Sequence, residues 1–591
     1  MFKSNYDKHP VVHAASFVDE CWQGWEAIAD QINAAVGDRR KPEQSFIVAV
    51  ECYTGLHERE LIRHLQEGLR HDHFFTSESV FRAPREIEAL VEPYLGGDDP
   101  IFGFFCPQSL DAFLDPQKQS RMQQEISRRS GVAIVFGPGA LLCCTPDLVV
   151  YADMPRWEGQ LRQRRGEVSN LGTHNRGLKG SLQYKRAYFI DWRVCDRLKR
   201  ASMARWDYLL DTTTADDPKM ISGQALRAAL QQTTRQPFRV LPFFDPAPWG
   251  GQWLKEVCDL ERDAPNFGWG FDCVPEENSL LLQFGKTTVE VPSLNLVFQE
   301  PQALLGDAVY GLFGPEFPIR FDFLDTIGGG NLSLQVHPLV AYAQEKFGLH
   351  YTQDESYYIL ESKKDATVYL GVKPDTDIDA LFGALTDAQT SGRGFVADPY
   401  VNQWPAKKHD HFLIPAGTVH CSGSDTVVLE ISATPYIFTF KLWDWGRLGL
   451  DGLPRPINLT HGRRVLQTDR DKEWVEENLI NALVQIDNGN GWREEKTGLH
   501  PLEFIETRRH WFTDTVPHDT HGTVNVLNLV QGDEALVESP TGDFAPFIVH
   551  YAETFVVPAA VGKYTIRPHG TAVGSECATM KAFVRSGCPE G

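Results

Sequence analysis

The sequence predicts a multidomain chain in which an N-terminal α/β domain is followed by all-β jelly-roll barrels with helical insertions. Three observations carry this expectation. The chain has 591 residues, too many for one ordinary hydrophobic core, so roughly two to four domains are expected. Up to residue 235, apolar runs alternate with helical patterns, as in a largely parallel sheet covered by helices. From Pro237 onward the texture changes to short alternating runs, dense in Gly and Pro, which imply antiparallel β structure.

In chain order, Phe46-Ile-Val-Ala-Val-Glu51 reads as a buried strand and Glu58 to Gln66 as a helix. Val132 to Phe136 and Leu148 to Ala152 read as further apolar strands. The basic segment from Arg156 to Arg200 reads as a solvated helical surface with a loop around Asn170. Residues 211 to 235 read as a linker with one helix. Beyond it, helical insertions are expected near Asp375 to Thr390 and near Glu473 to Gln485. The last stretch offers short strands at Thr523 to Val530, Phe547 to Tyr551 and Glu553 to Ala559. The expected division is 1–235 for the α/β domain, 236–500 for the first β domain and 501–591 for a second copy of a β barrel.

Composition narrows the function classes. With 42% hydrophobic and 23% charged residues, the chain has the make-up of a soluble globular protein. The longest near-apolar stretch, Val132 to Cys144, is broken by Gly137-Pro-Gly and falls short of the ~18 residues that span a membrane. The first residues have no apolar core of an export signal. Eleven cysteines without a paired CxxC read as reduced thiols, Cys143-Cys144 as a buried strand end, and the location as cytoplasmic. A net charge of −22 argues against a nucleic-acid partner. It also requires that any phosphorylated substrate be met by local Arg or Lys.

The most informative stretch runs from Gly329 to Pro338, Gly-Gly-Asn-Leu-Ser-Leu-Gln-Val-His-Pro. Gln335 and His337 are two apart, so on an extended strand an amide oxygen and an imidazole leave the same face. Glu355 follows in Tyr-Thr-Gln-Asp-Glu-Ser-Tyr-Tyr, and His420 closes Pro415-Ala-Gly-Thr-Val-His420. Two imidazoles, a carboxylate and a carbonyl suit Zn²⁺ with room for substrate. His71-Asp-His73 and His409-Asp-His411 lie among charged residues with no third ligand nearby and read as solvated turns. Trp443-Asp-Trp445 reads as packing.

The two motif halves resemble those of cupin barrels, with Gln335 in place of a histidine. More particularly, Leu332 to Pro338, Glu355 and Pro415 to His420 resemble segments of type I mannose-6-phosphate isomerases. So do Pro248-Trp-Gly-Gly-Gln-Trp-Leu254, Phe317-Pro-Ile-Arg-Phe-Asp-Phe-Leu-Asp325, Glu430-Ile431 and Trp443-Asp-Trp-Gly-Arg447. The resemblance covers about residues 237–591. It implies zinc ligands Gln335, His337, Glu355 and His420, catalytic roles for Lys441 and Glu430, and substrate contacts from Ser333, Arg320 and Arg447. The implied activity is the interconversion of mannose 6-phosphate and fructose 6-phosphate. This chain departs from the family where Gln353 and Asp322 replace lysines and Lys441 replaces an arginine. Those changes leave two other readings open, a sugar-phosphate-binding regulatory protein that keeps the metal, and an isomerase for another sugar. Before residue 236, Cys52-Tyr-Thr-Gly55 faintly resembles the phosphate loop of nucleoside-kinase-like domains. It has one Gly and no Lys, so ATP binding is not expected.

Overall fold

The computed structural model describes residues 4–41, 44–391, 393–433, 437–498 and 500–585. The first part is built on a seven-stranded sheet. Its spatial order is Cys21–Gln23, Lys219–Ser222, Tyr208–Asp211, Leu148–Asp153, Phe46–Cys52, Val132–Gly137 and His73–Thr76. The last five are mutually parallel, and Lys219–Ser222 runs antiparallel to both its neighbours, Tyr208–Asp211 and the edge strand Cys21–Gln23. Phe46–Cys52 is central because its unbroken apolar run is buried on both faces. Residues 211–235 are therefore not a linker. The Thr- and Asp-rich run after Asp211 is only a turn, and Met220 and Ile221 bury the next strand in the sheet. Cys143 likewise ends a short helix, Ala140–Cys143, rather than a strand.

The basic segment also departs from expectation. Arg156, Arg162, Lys185, Arg186 and Lys199 are buried. Burial of a charge is tolerated only with partners, and these have them. Lys199 lies 2.8 Å from Asp153, and Arg156 and Arg193 each lie 3.2 Å from Glu276.

The middle of the chain forms two antiparallel sheets. One has the order His411–Ile414, Glu355–Ser362, Thr426–Ala433, Ile319–Asp325, Trp269–Cys273, Phe243–Asp245. The other has the order Val401–Pro405, Thr367–Val372, His420–Ser422, Leu334–Val336, Phe440–Trp443. Among the described residues each sheet ends in edge strands and neither closes on itself. A helix, Ile378–Ser391, lies in the first expected insertion. The second is shorter than expected: Lys472–Asn478 is helical, but Val484–Gly489 is a strand paired with Trp492–Gly498. The turn between them is Asn490-Gly491, a strong hairpin signal. Residues 484–584 supply a last pair of antiparallel sheets, with Phe512, Leu527, Phe555 and Ile566 in their shared core.

The parts are joined by polar contacts as well as apolar ones. Val11–His13 pairs with Ser279–Phe284, and the Tyr6 hydroxyl donates to Asp272, which also holds Arg239 at 3.2 Å. Open parallel sheets bind ligands in the crevice at the carboxyl ends of their strands. Here that edge is occupied by the chain itself. The Asn295 amide donates to Asp153 at 3.0 Å, Glu276 meets Arg156, and the Glu290 backbone donates to Asp211 at 2.9 Å. The amides of Gly139 and Leu141 are taken by the Glu51 carboxylate at 2.7 and 2.9 Å. Calorimetric titration with MgATP is accordingly expected to give no binding heat, and micromolar binding that depends on Tyr53 would refute this.

Candidate metal centre

Strand register places the candidate residues. Gln335 pairs with His420 on one side and Lys441 on the other, so the three side chains form one row across the five-stranded sheet. In the six-stranded sheet, Arg320, Ser432 and Glu355 form one row, and Asp322, Glu430 and Tyr357 the next. Rows two residues apart share a face. That face meets the first row, because Glu355 Oε2 lies 3.0 Å from His337 Nε2 and Oε1 lies 2.9 Å from His420 Nε2.

Local chemistry fixes each candidate side chain. The turn before His420 needs Gly417, whose φ is +90° and whose place a Cβ would crowd against Gln467 and Leu339. Arg470 clamps that turn by donating to the Pro415 and Ala416 carbonyls at 2.8 and 2.7 Å. The Nδ1 of His337 lies 2.9 Å from the Phe438 carbonyl, and the Nδ1 of His420 lies 2.8 Å from the Thr418 carbonyl. A carbonyl only accepts, so each Nδ1 carries the proton, and in a neutral ring Nε2 is left with a lone pair. Both lone pairs then point at a carboxylate. His337 Nε2 and Glu355 Oε1 are buried without a hydrogen bond. Such a set is satisfied by a cation between its members or by second protons on the rings. Gln335 brings its amide within 3.1 Å of His420 Nε2, and a half-turn of that amide presents its oxygen instead. The residues therefore fit a divalent metal.

Burial alone would raise Glu355, but when the rings carry their second protons His337 and His420 outweigh it and hold the carboxyl well below its ordinary range. Gln353 donates to the same carboxylate at 3.2 Å. Lys441 has no ion-pair or hydrogen-bond partner for its ammonium among the described residues. Burial first, then the nearby Arg455 and Arg447, push it down to about 7 against the pull of Asp444.

The structure brings Gln335, His337, Glu355 and His420 together, with Lys441 in their row. Glu430 and Arg320 face them as an ion pair, and Arg320 also lies 3.0 Å from Asp322. Ser333 and Arg447 stand apart, around Asp444. The Ser333 hydroxyl donates to it at 2.8 Å, Arg447 at 2.7 Å and Arg455 at 2.9 Å. Arg455, Tyr357 and Ser432 were not singled out by the sequence. Tyr357 follows Glu355 by two, so strand alternation would have found it. His411 is not in a solvated turn. It is buried on a strand paired with Glu355–Ser362. The other cluster of potential metal-holding residues among those described is Glu60, His64 and Asp216. It is more exposed, and Arg63 lies 2.7 Å from the His64 Nε2.

A family profile described as "Domain of unknown function (DUF8485)" matches residues 24–235. Mannose-6-phosphate isomerase ManA of Bacillus subtilis (strain 168) is 26% identical over 260 residues, 43% of this chain and 77% of that protein. The mannose-6-phosphate isomerase of Streptococcus mutans is 24% identical over 224 residues, 37% of this chain and 64% of its own. A crystal structure of the mannose 6-phosphate isomerase from Bacillus subtilis aligns at 17% identity and a TM-score of 0.47, over 58% of this chain and 99% of that one. By these two sequence relatives, the chain is homologous to mannose-6-phosphate isomerases over part of its length. Among the described residues no helix is long and apolar enough to cross a membrane.

Proposed function

We propose that the chain is a zinc-dependent aldose–ketose isomerase acting on mannose 6-phosphate and fructose 6-phosphate. The observation that carries this reading is the convergence of two tautomer-fixed imidazoles on Glu355, with the Lys441 ammonium, unpartnered among the described residues, in the row of Gln335 and His420. Its homology to mannose-6-phosphate isomerases supports the same choice. Gln335, His337, Glu355 and His420 would hold the metal in a cupin-type fold. Zn²⁺, when bound, supplies a Lewis acid that polarises sugar oxygens.

The remaining work belongs to side chains. Aldose–ketose exchange moves a proton between C1 and C2 through an enediolate, and the barrier lies in stabilising its negative charge. Lys441 is the cation placed for that charge. Burial first, with Asp322 and Glu355 adding to it, raises Glu430 well above the usual carboxylate range against the pull of Arg320. A raised carboxyl beside the cluster suits a group that exchanges a proton during the reaction. Arg447 and Ser333, with Arg455, are the candidate phosphate contacts, because their two guanidinium groups share the single carboxylate of Asp444.

The domain reading accompanies this proposal: a degenerate α/β domain over 1–235, the zinc domain over 236–500 and a cupin-like β domain over 501–591, in a cytoplasmic protein. Gln353 and Lys441, where the family has a lysine and an arginine, motivate a second reading, a regulatory sugar-phosphate binder that retains the metal. A coupled assay with mannose 6-phosphate separates the two. Turnover that a chelator abolishes and Zn²⁺ restores is the expected result. A zinc-loaded protein that binds mannose 6-phosphate without turning it over would establish the regulatory reading, and turnover of a different sugar only would change the substrate.

A further inference from the structure

His337 is oriented by a single backbone atom, the Phe438 carbonyl that its Nδ1 faces at 2.9 Å. The chain just before that atom is under strain. Ile437 has φ of +76°, and the Thr439 amide donates back to its carbonyl at 2.7 Å, which makes a tight three-residue turn. A β-branched residue at positive φ persists only where its surroundings hold it.

Much of what holds it comes from the first part of the chain. The Phe438 ring is fully buried, and its ring neighbours among the described residues are Phe102 at 5.7 Å, Phe189 at 6.0 Å and Phe347 at 5.1 Å. Two of those three precede residue 236. Phe102 also meets Phe440 edge-on at 5.1 Å, one residue before Lys441. Its loop is pinned at both ends: Asp99 accepts from the Phe102 amide at 2.8 Å, and the Phe105 amide donates to the Phe347 carbonyl at 2.9 Å. Asp99 also lies 3.0 Å from His461, whose ring stacks on Phe440 at 4.8 Å.

We propose that Phe102 is a positioning residue for the metal centre: with Phe189 it clamps Phe438 and thereby fixes the ring of His337, so the N-terminal α/β region completes the centre rather than acting on a ligand of its own. The inference rests on the metal reading given above, and partners that orient a ligating histidine typically change metal affinity by ~10–100-fold when altered.

The test compares Phe102→Ala with Phe102→Leu, which keeps apolar bulk, and with Phe136→Ala, which truncates a buried ring in a separate core cluster of the same region. Zinc affinity is read by chelator competition, and backbone order in the metal-free protein by hydrogen–deuterium exchange. Phe102→Ala is expected to weaken zinc about 10–100-fold and to speed exchange across residues 437–443. Phe102→Leu should recover most of both, and Phe136→Ala should move neither. Unchanged exchange at 437–443, or faster exchange with zinc affinity unchanged, would overturn the proposal. An equal loss in Phe136→Ala would reduce Phe102 to a general stabilising role and overturn it too. A parent protein that takes up no zinc would instead remove the metal reading on which the role depends.

Discussion

Replacing His420 by Ala is expected to take the purified protein from about one zinc per chain to near none, and to reduce isomerase turnover to background. The side chain is fully buried, and its Nε2 lies 2.9 Å from Glu355. Losing one ligand of a four-ligand site weakens affinity and geometry together. His337→Ala should behave alike. Gln335→Ala should be milder, because it removes a neutral carbonyl and leaves both imidazoles and the carboxylate. Each histidine deletion also strips Glu355 of a partner that holds its carboxyl low, leaving a buried charge less compensated. Some loss of stability is therefore expected, and thermal unfolding of each variant separates folding loss from metal loss. Elemental analysis is the deciding measurement. Full zinc in a folded His420→Ala protein would place the metal elsewhere, and Glu60, His64 and Asp216 would be the first residues to examine.

The clustering of the candidate residues was legible in the sequence because local patterns announce them. Gln335 and His337 share a face through strand alternation, and Gly417 marks the turn that presents His420. What was not legible depends on pairing between distant segments. Nothing near Lys441 says that it stands opposite Gln335, since that follows from the register of two strands about a hundred residues apart. The same holds for Arg156 and Lys199. Their composition reads as solvated surface, and only the folded chain brings Glu276 and Asp153 to them. The missed hairpin at 484–498 is different in kind. Its Asn-Gly turn is present, but the helix pattern expected over Glu473 to Gln485 runs into its first strand, Val484–Gly489.

Lys441→Ala is expected to lower kcat by ~10²–10³, the usual loss when one preorganised contact to a transition-state oxyanion is removed, while zinc content stays at the parental level. The split follows from position. Lys441 shares a row with Gln335 and His420, yet an ammonium is no ligand, so its charge acts on the anion and not on the metal. Its titration gives a second signature. With the ammonium held down to about 7, the catalytic form is lost as pH rises through that value, so kcat/KM of the parent should decline on the alkaline side of neutrality. Stability moves the opposite way. The unfolded lysine keeps its proton up to about 10.4, so between the two values the unfolded state binds more protons, and this group's contribution to stability rises with pH. Lys441→Arg removes the alkaline limb, because a guanidinium stays charged. It should retain or improve mannose 6-phosphate turnover if that sugar is the natural substrate, since a planar fork offers bidentate contact where the ammonium offers a point charge. An arginine variant that gains a mannose 6-phosphate activity absent from the parent would show that the natural substrate is another sugar. An alanine variant with near-parental kcat and full zinc would make Lys441 a bystander and leave the enediolate charge to a different cation, with Arg320, Arg447 and Arg455 as the candidates.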